Sequence, residues 1–225
     1  PTGTTTMGAV TTVMNTRSST VSDDATLKVS DLDAGLIYRL FSGAIAPRPI
    51  AWVSTLSESG HANLAPFSFF NVASVDPPVL AFSPLLNGEG ATKDTIANLK
   101  QVGECIVHIG GEALAEALNA TSASLPPQGD EFDHAGLTKA SLGKLRVPRI
   151  QEAPVAFGCR LHDILHFGDR PLSGNLVLAE VTVIHADPGV WNGRHVSCEA
   201  LAPIGRMAGS DYARCTDLFS LERPK

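Results

Sequence analysis

Residues 46–84 read APRPIAWVSTLSESGHANLAPFSFFNVASVDPPVLAFSP. The pattern predicts a buried strand over Ile50 to Leu56, a polar turn over Ser57 to His61 and a second extended run through Phe69 and Asn71. A Pro-Pro break then leads to a third strand over Val79 to Phe82. The result is a β-meander. Hydroxyls at Ser54, Thr55, Ser68, Ser74 and Ser83 punctuate it beside Trp52, Phe67, Phe69 and Phe70. Donors at strand ends next to flat apolar surfaces suit a planar polar ligand, whose ring needs stacking and whose edge and phosphate need fixed donors.

Alternation along the second run puts Phe67, Phe69 and Asn71 on one face and Ser68 and Phe70 on the other. An aromatic core with incidental serines would explain such a run. The reading as a site gains from Ser54, Thr55 and Ser68 lying together on adjoining strands, because buried hydroxyls need partners.

Upstream, Ala46-Pro47-Arg48-Pro49 cannot be helical, since each proline holds its predecessor extended and lacks an amide donor. Arg48 is thereby fixed just before the central strand, where its fork meets either a phosphate or carboxylate of a ligand or a neighbouring surface acid. Further upstream, Leu27 to Phe41 begins as a short strand or loop. A helical turn follows, capped by Asp31 or Asp33, carrying Leu36, Ile37, Leu40 and Phe41 and ended by Gly43.

Downstream, a loop from Leu85 to Ala91 precedes Thr92-Lys93-Asp94-Thr95, which opens a helix with Ile96, Leu99 and Val102 on its apolar side. A helix N-terminus and the loop Asn87-Gly88-Glu89-Gly90 are both rich in free amides, and together they read as a phosphate cradle. The spacing is not that of a Walker loop. Thr92 as N-cap, with Asp94 in the first turn and Lys93 solvated, accounts for the helix equally well.

Glu104 to Ile109 alternates as a strand, Gly110-Gly111 breaks it, and Glu112 to Leu118 reads as a short helix ending in Asn119 to Ala123. The acidic, proline-marked excursion from Ser124 to His134 reads as too polar for core. Two long strands, Val155 to Phe167 and Asn175 to Ile184, form a closing hairpin with a bulge near Ala179. Parallel βαβ alternation and a G-x-G-x-x-G motif are missing, so a nicotinamide nucleotide would bind without a Rossmann domain. His162 and His166 stand four apart, but on a strand that is roughly 13 Å, too far to share a metal. The last dense cluster, Leu201 to Arg214, sets Arg206, Ser210, Asp211 and Tyr212 among glycines, a composition of sites more than of cores.

A chain of 225 residues with 44% hydrophobic content fits one β-rich domain, expected over 27–225 after a Thr/Ser-rich, disordered tail over 1–26. The formal charge of −6 and the lack of a basic stripe argue against nucleic acid. No apolar run approaches the ~20 residues of a membrane helix. Cys105, Cys159, Cys198 and Cys215 have no C-x-x-C spacing and read as reduced thiols of a cytoplasmic protein.

The strings PRPIAWVST, NLAPFSFFN, DPPVLAFS, KDT, NATSA and IGRMAGSDYAR, running in order from about Ala44 to Arg214, resemble the flavin reductase-like, FMN-binding split-barrel proteins. The resemblance implies a mainly β fold, a Greek-key split β-barrel with peripheral helices, that binds FMN and takes hydride from NADH or NADPH. It also implies a homodimer whose two barrels bury the flavins, and reduced flavin passed to a partner monooxygenase. Retained FMN acting on an organic substrate, or a non-enzymatic flavin carrier or sensor, would need the same cradle.

The expected flavin contacts are Arg48, Trp52, Ser54, Thr55, Ala65, Pro66, Phe67, Ser68, Phe69, Phe70, Asn71 and Ser83 around the meander. Lys93, Asp94, Thr95 and Asn119 follow, with Lys93 and Thr95 at the phosphate, and by resemblance Arg206, Ser210 and Tyr212 close over the ring. No catalytic side chain is assigned; the candidates are His166, near the hairpin that meets the nicotinamide in some relatives, and Tyr212, and the 124–134 excursion corresponds to a flap. Because no Ser-His-Asp elbow, carboxylate pair or metal cluster stands out, the chemistry is expected to be delegated to the cofactor.

Overall fold

The computed structural model describes residues 26–125 and 129–224. The expected tail lies outside the described residues except for Thr26. Contacts divide the chain into a unit ending at Asp33, whose described residues hold a 3-10 turn at Val29–Asp31, and a unit from Ala34 onward.

The second unit begins with α1 (Ala34–Ala44), β1 (Ala51–Leu56), β2 (Ala62–Phe67), β3 (Phe70–Val75), β4 (Pro78–Phe82), α2 (Asp94–Val102) and β5 (Glu104–Ile109). Then come a 3-10 turn at Glu112–Leu114, α3 (Ala115–Ala120), α4 (Glu131–His134) and the two-residue strands β6 (Lys139–Ala140) and β7 (Arg149–Ile150). The long β8 (Val155–His166) and β9 (Asn175–Ala186), α5 (Cys198–Leu201), β10 (Ile204–Arg206) and β11 (Tyr212–Arg214) complete it.

Seven antiparallel strands form one sheet in the order β2-β1-β5-β8-β9-β4-β3. Its two ends, β2 and β3, are neighbours in the chain. The run expected as one strand through Asn71 breaks at Ser68-Phe69, so that β2 pairs with β1 and β3 with β4. That bend carries the backbone from one end of the sheet to the other and closes the barrel. It also breaks the expected alternation: Phe67 and Phe70, not Phe67 and Phe69, pack on the same core. Phe67 stacks on Phe82 with centroids 5.7 Å apart.

The barrel interior is filled by Ala51, Val53, Leu80, Val107 and Val177, with Ile96 and Leu99 of α2 inserted among them. The opposite face of β1 is buried as well, since Trp52 packs in an outer layer with Leu64, Leu118, Phe132 and Ile150. A strand covered on both faces reads as a continuous apolar run, which is why β1 is visible in the sequence. Phe132 corrects the expectation that the 124–134 excursion is too polar for core: it is fully buried, anchoring α4 under β2. One aromatic side chain is enough to dock a polar segment.

The hairpin of β8 and β9 carries the irregularity expected near Ala179. Leu161 faces Ala179 and Asp163 faces Leu178, so the additional residue, His162, belongs to the partner strand. Helix α1 runs through Gly43 to Ala44 instead of stopping at the glycine. β10 and β11 form a small hairpin near the start of β1, with reciprocal backbone bonds between Arg48 and Arg206 at 3.0 and 2.9 Å. Gly111 lets Leu201 approach so closely that a Cβ there would sit 2.2 Å from the Leu201 carbonyl oxygen. Among the described residues no helix is long and apolar enough to cross a membrane.

Candidate cofactor cleft

Between the bend of β2 and the start of α2 lies an open cleft of about 770 Å³. One wall is the stretch from Ala65 to Phe69, faced by Tyr38 of α1, whose ring centroid lies 6.1 Å from that of Phe69. The opposite rim is the beginning of α2. Lys93 occupies the N-cap position of that helix without any side-chain capping bond, correcting the alternative of Thr92 as N-cap. An N-terminus left uncapped presents amide donors and the positive end of the helix dipole. Lys93, Asp94 and Thr95 all line the cleft there, and Lys93 is exposed without a salt-bridge partner among the described residues.

The glycine loop does not extend this cradle as expected. The amides of Glu89 and Ala91 donate to Asn87 Oδ1 at 3.0 and 2.8 Å, and that of Gly90 to the Asn87 carbonyl oxygen at 3.0 Å. Those donors are spent inside the loop.

Behind the α2 rim is a polar network that ties the start of α2 to β1 and β2. Asn98 Nδ2 donates to Thr55 Oγ1 at 3.1 Å, and Asn63 Nδ2 donates to Thr95 Oγ1 at 3.1 Å and, longer, to Thr55 Oγ1 at 3.4 Å. Thr55 therefore supports the cleft from behind instead of lining it. Ser54 and Ser68, expected beside it, are elsewhere: Ser54 donates to the Pro148 carbonyl at 2.7 Å, while Ser68 accepts from Arg48 Nε at 3.3 Å. Strand alternation turns Ser54 away from Thr55, and the bend carries Ser68 past the end of β1.

Arg48, expected at a phosphate or a surface acid, meets backbone instead. Its guanidinium donates to the carbonyls of Ser42 (2.6 Å), Ile45 (3.1 Å) and Met207 (2.9 Å), and lies 5.9 Å from the Phe69 ring centre. It joins the C-terminal end of α1, the bend and the C-terminal hairpin; burial lowers its pKa from the ordinary range. A cation at a helix C-terminus finds ready acceptors in the last carbonyls.

Of the other expected contacts, Ala65, Pro66, Phe67, Ser68, Phe69 and Ser83 line the cleft with Lys93, Asp94 and Thr95. Trp52 does not, being fully buried with its indole N–H on Thr121 Oγ1 at 2.8 Å. Phe70 faces the core, and Asn71 is exposed with Oδ1 on the Val72 amide. Asn119 accepts from Tyr212 Oη at 3.2 Å, Arg206 lies 4.6 Å over the Tyr212 ring, and Ser210 is exposed; none of these four lines the cleft. His166 contacts Asn175 through Nδ1 at 2.5 Å, also away from it.

Sequence reasoning missed Tyr38, Asn63, Asn98, Thr121 and Glu131, all on the cleft wall. Asn98 was findable, lying one turn from Thr95 on the same face of α2. Glu131 carried no signal, being one of several acids in a polar stretch. Its Oε2 accepts from the Leu64 amide at 3.1 Å, and burial pushes its pKa up, the nearby carboxylates of Asp130 and Asp94 adding to the effect.

A family model described as "Flavin reductase like domain" matches residues 43–197. YwrF, an uncharacterised protein of Bacillus subtilis, is 39% identical over 201 residues, covering 88% of this chain and 98% of its own length. The solved structure of nitrilotriacetate monooxygenase component B from Bacillus cereus superposes with a TM-score of 0.83 at 32% identity, over 88% of this chain and 98% of its own. That of the 2-nitrobenzoate 2-nitroreductase NbaA from Pseudomonas fluorescens does so with a TM-score of 0.80 at 28% identity, over 89% and 96%.

Proposed function

Because this chain belongs to the flavin reductase-like family, we propose that its cleft binds FMN and that the protein is an NAD(P)H-dependent flavin reductase serving a partner monooxygenase. The observation that carries the reading is the uncapped start of α2, which opens with the exposed Lys93 onto a cleft walled by Phe67, Phe69 and Tyr38. A phosphate needs such donors, and a flat ring needs such a wall. Bound there, FMN supplies the hydride-accepting chemistry, with NADH or NADPH as donor.

The protein's own residues orient and shield. Lys93 and the first amides of α2 would hold the phosphate, Thr95 being fixed for this by Asn63. The stretch from Ala65 to Phe69 would take the ring and exclude water from one side of it, while the bond between Thr55 and Asn98 ties the α2 rim to β1. Likeness to a monooxygenase component supports a partner monooxygenase. Exposed apolar side chains on α1 (Leu40, Phe41) and just beyond it (Ile45) support assembly with a second copy.

The test is the absorption spectrum of protein titrated with FMN, followed by anaerobic addition of NADH or NADPH to separate samples. Flavin bands that shift on binding and then bleach are expected, and the nucleotide that bleaches them faster is the donor. Protein that neither shifts the FMN bands nor speeds their bleaching refutes the reading. Likeness to a nitroreductase supports a second reading, retained FMN acting on a small organic substrate. NADH oxidation that needs such a compound but no free FMN would establish it in place of the first.

A further inference from the structure

Glu131 is held unusually firmly for an acid at the edge of a cleft. It opens α4, whose N-cap Asp130 accepts from the amides of Phe132 (2.9 Å) and Asp133 (3.4 Å), and whose Phe132 is buried in the outer core. From this base Glu131 Oε2 reaches β2 and accepts the Leu64 amide at 3.1 Å. No described cation forms an ion pair with Glu131; Lys139, the nearest in sequence, is bound to Asp130.

A carboxylate half removed from water, beside Asp94 and Asp130 and without a cation, is unfavourable on its own. The carboxylate accepts the amides of Leu64 and of Glu131 itself, and Glu131 lines the cleft. What answers it must donate a hydrogen bond without bringing negative charge, which excludes a phosphate. The phosphate has its own place at Lys93 and the start of α2. A flavin mononucleotide carries a chain of hydroxyls between its ring and its phosphate, and these are neutral donors.

We infer that Glu131 accepts a hydrogen bond from the polyol chain of the bound flavin and so selects flavins that carry that chain over the bare ring. This rests on the flavin reading above. Glu131 is thus a specificity residue that binds the side chain of the cofactor and takes no part in hydride transfer.

The test is fluorescence titration of the wild-type protein and Glu131→Gln with three probes: FMN, riboflavin, and lumiflavin, which has the same ring with a methyl group in place of the polyol. Glutamine keeps an acceptor for the Leu64 amide but replaces a charge-assisted bond with a neutral one. The riboflavin dissociation constant should rise about fivefold to tenfold while that of lumiflavin stays unchanged. FMN should lose less, because removing the charge also relieves repulsion of its phosphate.

Unchanged riboflavin affinity, or a parallel loss for lumiflavin, overturns the inference, the latter showing that Glu131 only shapes the cleft. Wild-type protein that binds none of the three probes would overturn the flavin reading itself, a result distinct from any difference between variants. If the Gln variant does not fold, Glu131→Asp, which keeps the charge and withdraws the carboxyl by one methylene, should show the same selective loss for riboflavin.

Discussion

Acidification should destabilise this protein through one buried imidazole. His108 in β5 is fully buried between two backbone groups: Nδ1–H donates to the Trp52 carbonyl at 2.8 Å, and Nε2 accepts the Ile150 amide at 3.0 Å. Both nitrogens are committed to the neutral ring. Burial, which outweighs the bond to Trp52, lowers its pKa from 6.5 to about 4, with Arg149 and His185 adding to the shift. The folded value lies below the unfolded one, so the stabilisation is complete above pH 6.5, falls away as pH drops between 6.5 and 4, and is gone below that. The full span is about 3 kcal/mol, of which about 2 should be gone at pH 5. Urea unfolding at pH 7.5 and 5.0, followed by tryptophan fluorescence, measures the loss in the wild type and in His108→Gln, which does not titrate. The wild type should lose about 2 kcal/mol more than the variant between the two pH values. Equal losses would mean that the acid sensitivity arises elsewhere and that His108 is not the group responsible.

Lys93→Ala should weaken FMN binding about tenfold and leave riboflavin binding unchanged; titration of both probes checks this, and equal FMN affinity removes Lys93 from the phosphate site. Arg48→Lys keeps the charge but cannot span three carbonyls, and should lower unfolding free energy by about 3 kcal/mol in urea titrations; a loss within error would show that the carbonyls find other donors. Gly111→Ala drives a methyl into the Leu201 carbonyl and should destabilise by roughly 2 kcal/mol, seen as a lower melting temperature. Gly43→Ala, in the last turn of α1 with no atom within 4 Å of the new Cβ, should leave the melting temperature unchanged or raise it.

The parts of the fold that the sequence discloses are those dictated by local pattern. β5 is read at Glu104 to Ile109 and lies there, because glycines bound an apolar run. β8 and β9 are placed within two residues for the same reason. The split at Ser68 is not legible, since nothing local distinguishes a bend inside FSFF from a continuing strand; strand pairing on both sides decides it. The cleft is legible where single segments build it, as at Ala65 to Phe69 and Lys93 to Thr95. It is not legible where distant segments meet. Tyr38 and Glu131 reach the same space from segments far apart in the chain, and the partners of Arg48 include a carbonyl 159 residues away.

The guanidinium of Arg48 gives the C-terminal hairpin a hold on the cleft that none of its residues lines. It spans Met207 on that hairpin, the end of α1 that carries Tyr38, and Ser68 at the bend next to Phe69. A chain ending before Met207 would lose one of the three anchors on a single rigid fork, and the fork's grip on α1 and on the bend beside Phe69 would loosen. Flavin affinity should therefore report on the integrity of the far end of the polypeptide, and a proteolytic clip in the glycine turn between β10 and β11 should register as weakened binding before it registers as unfolding.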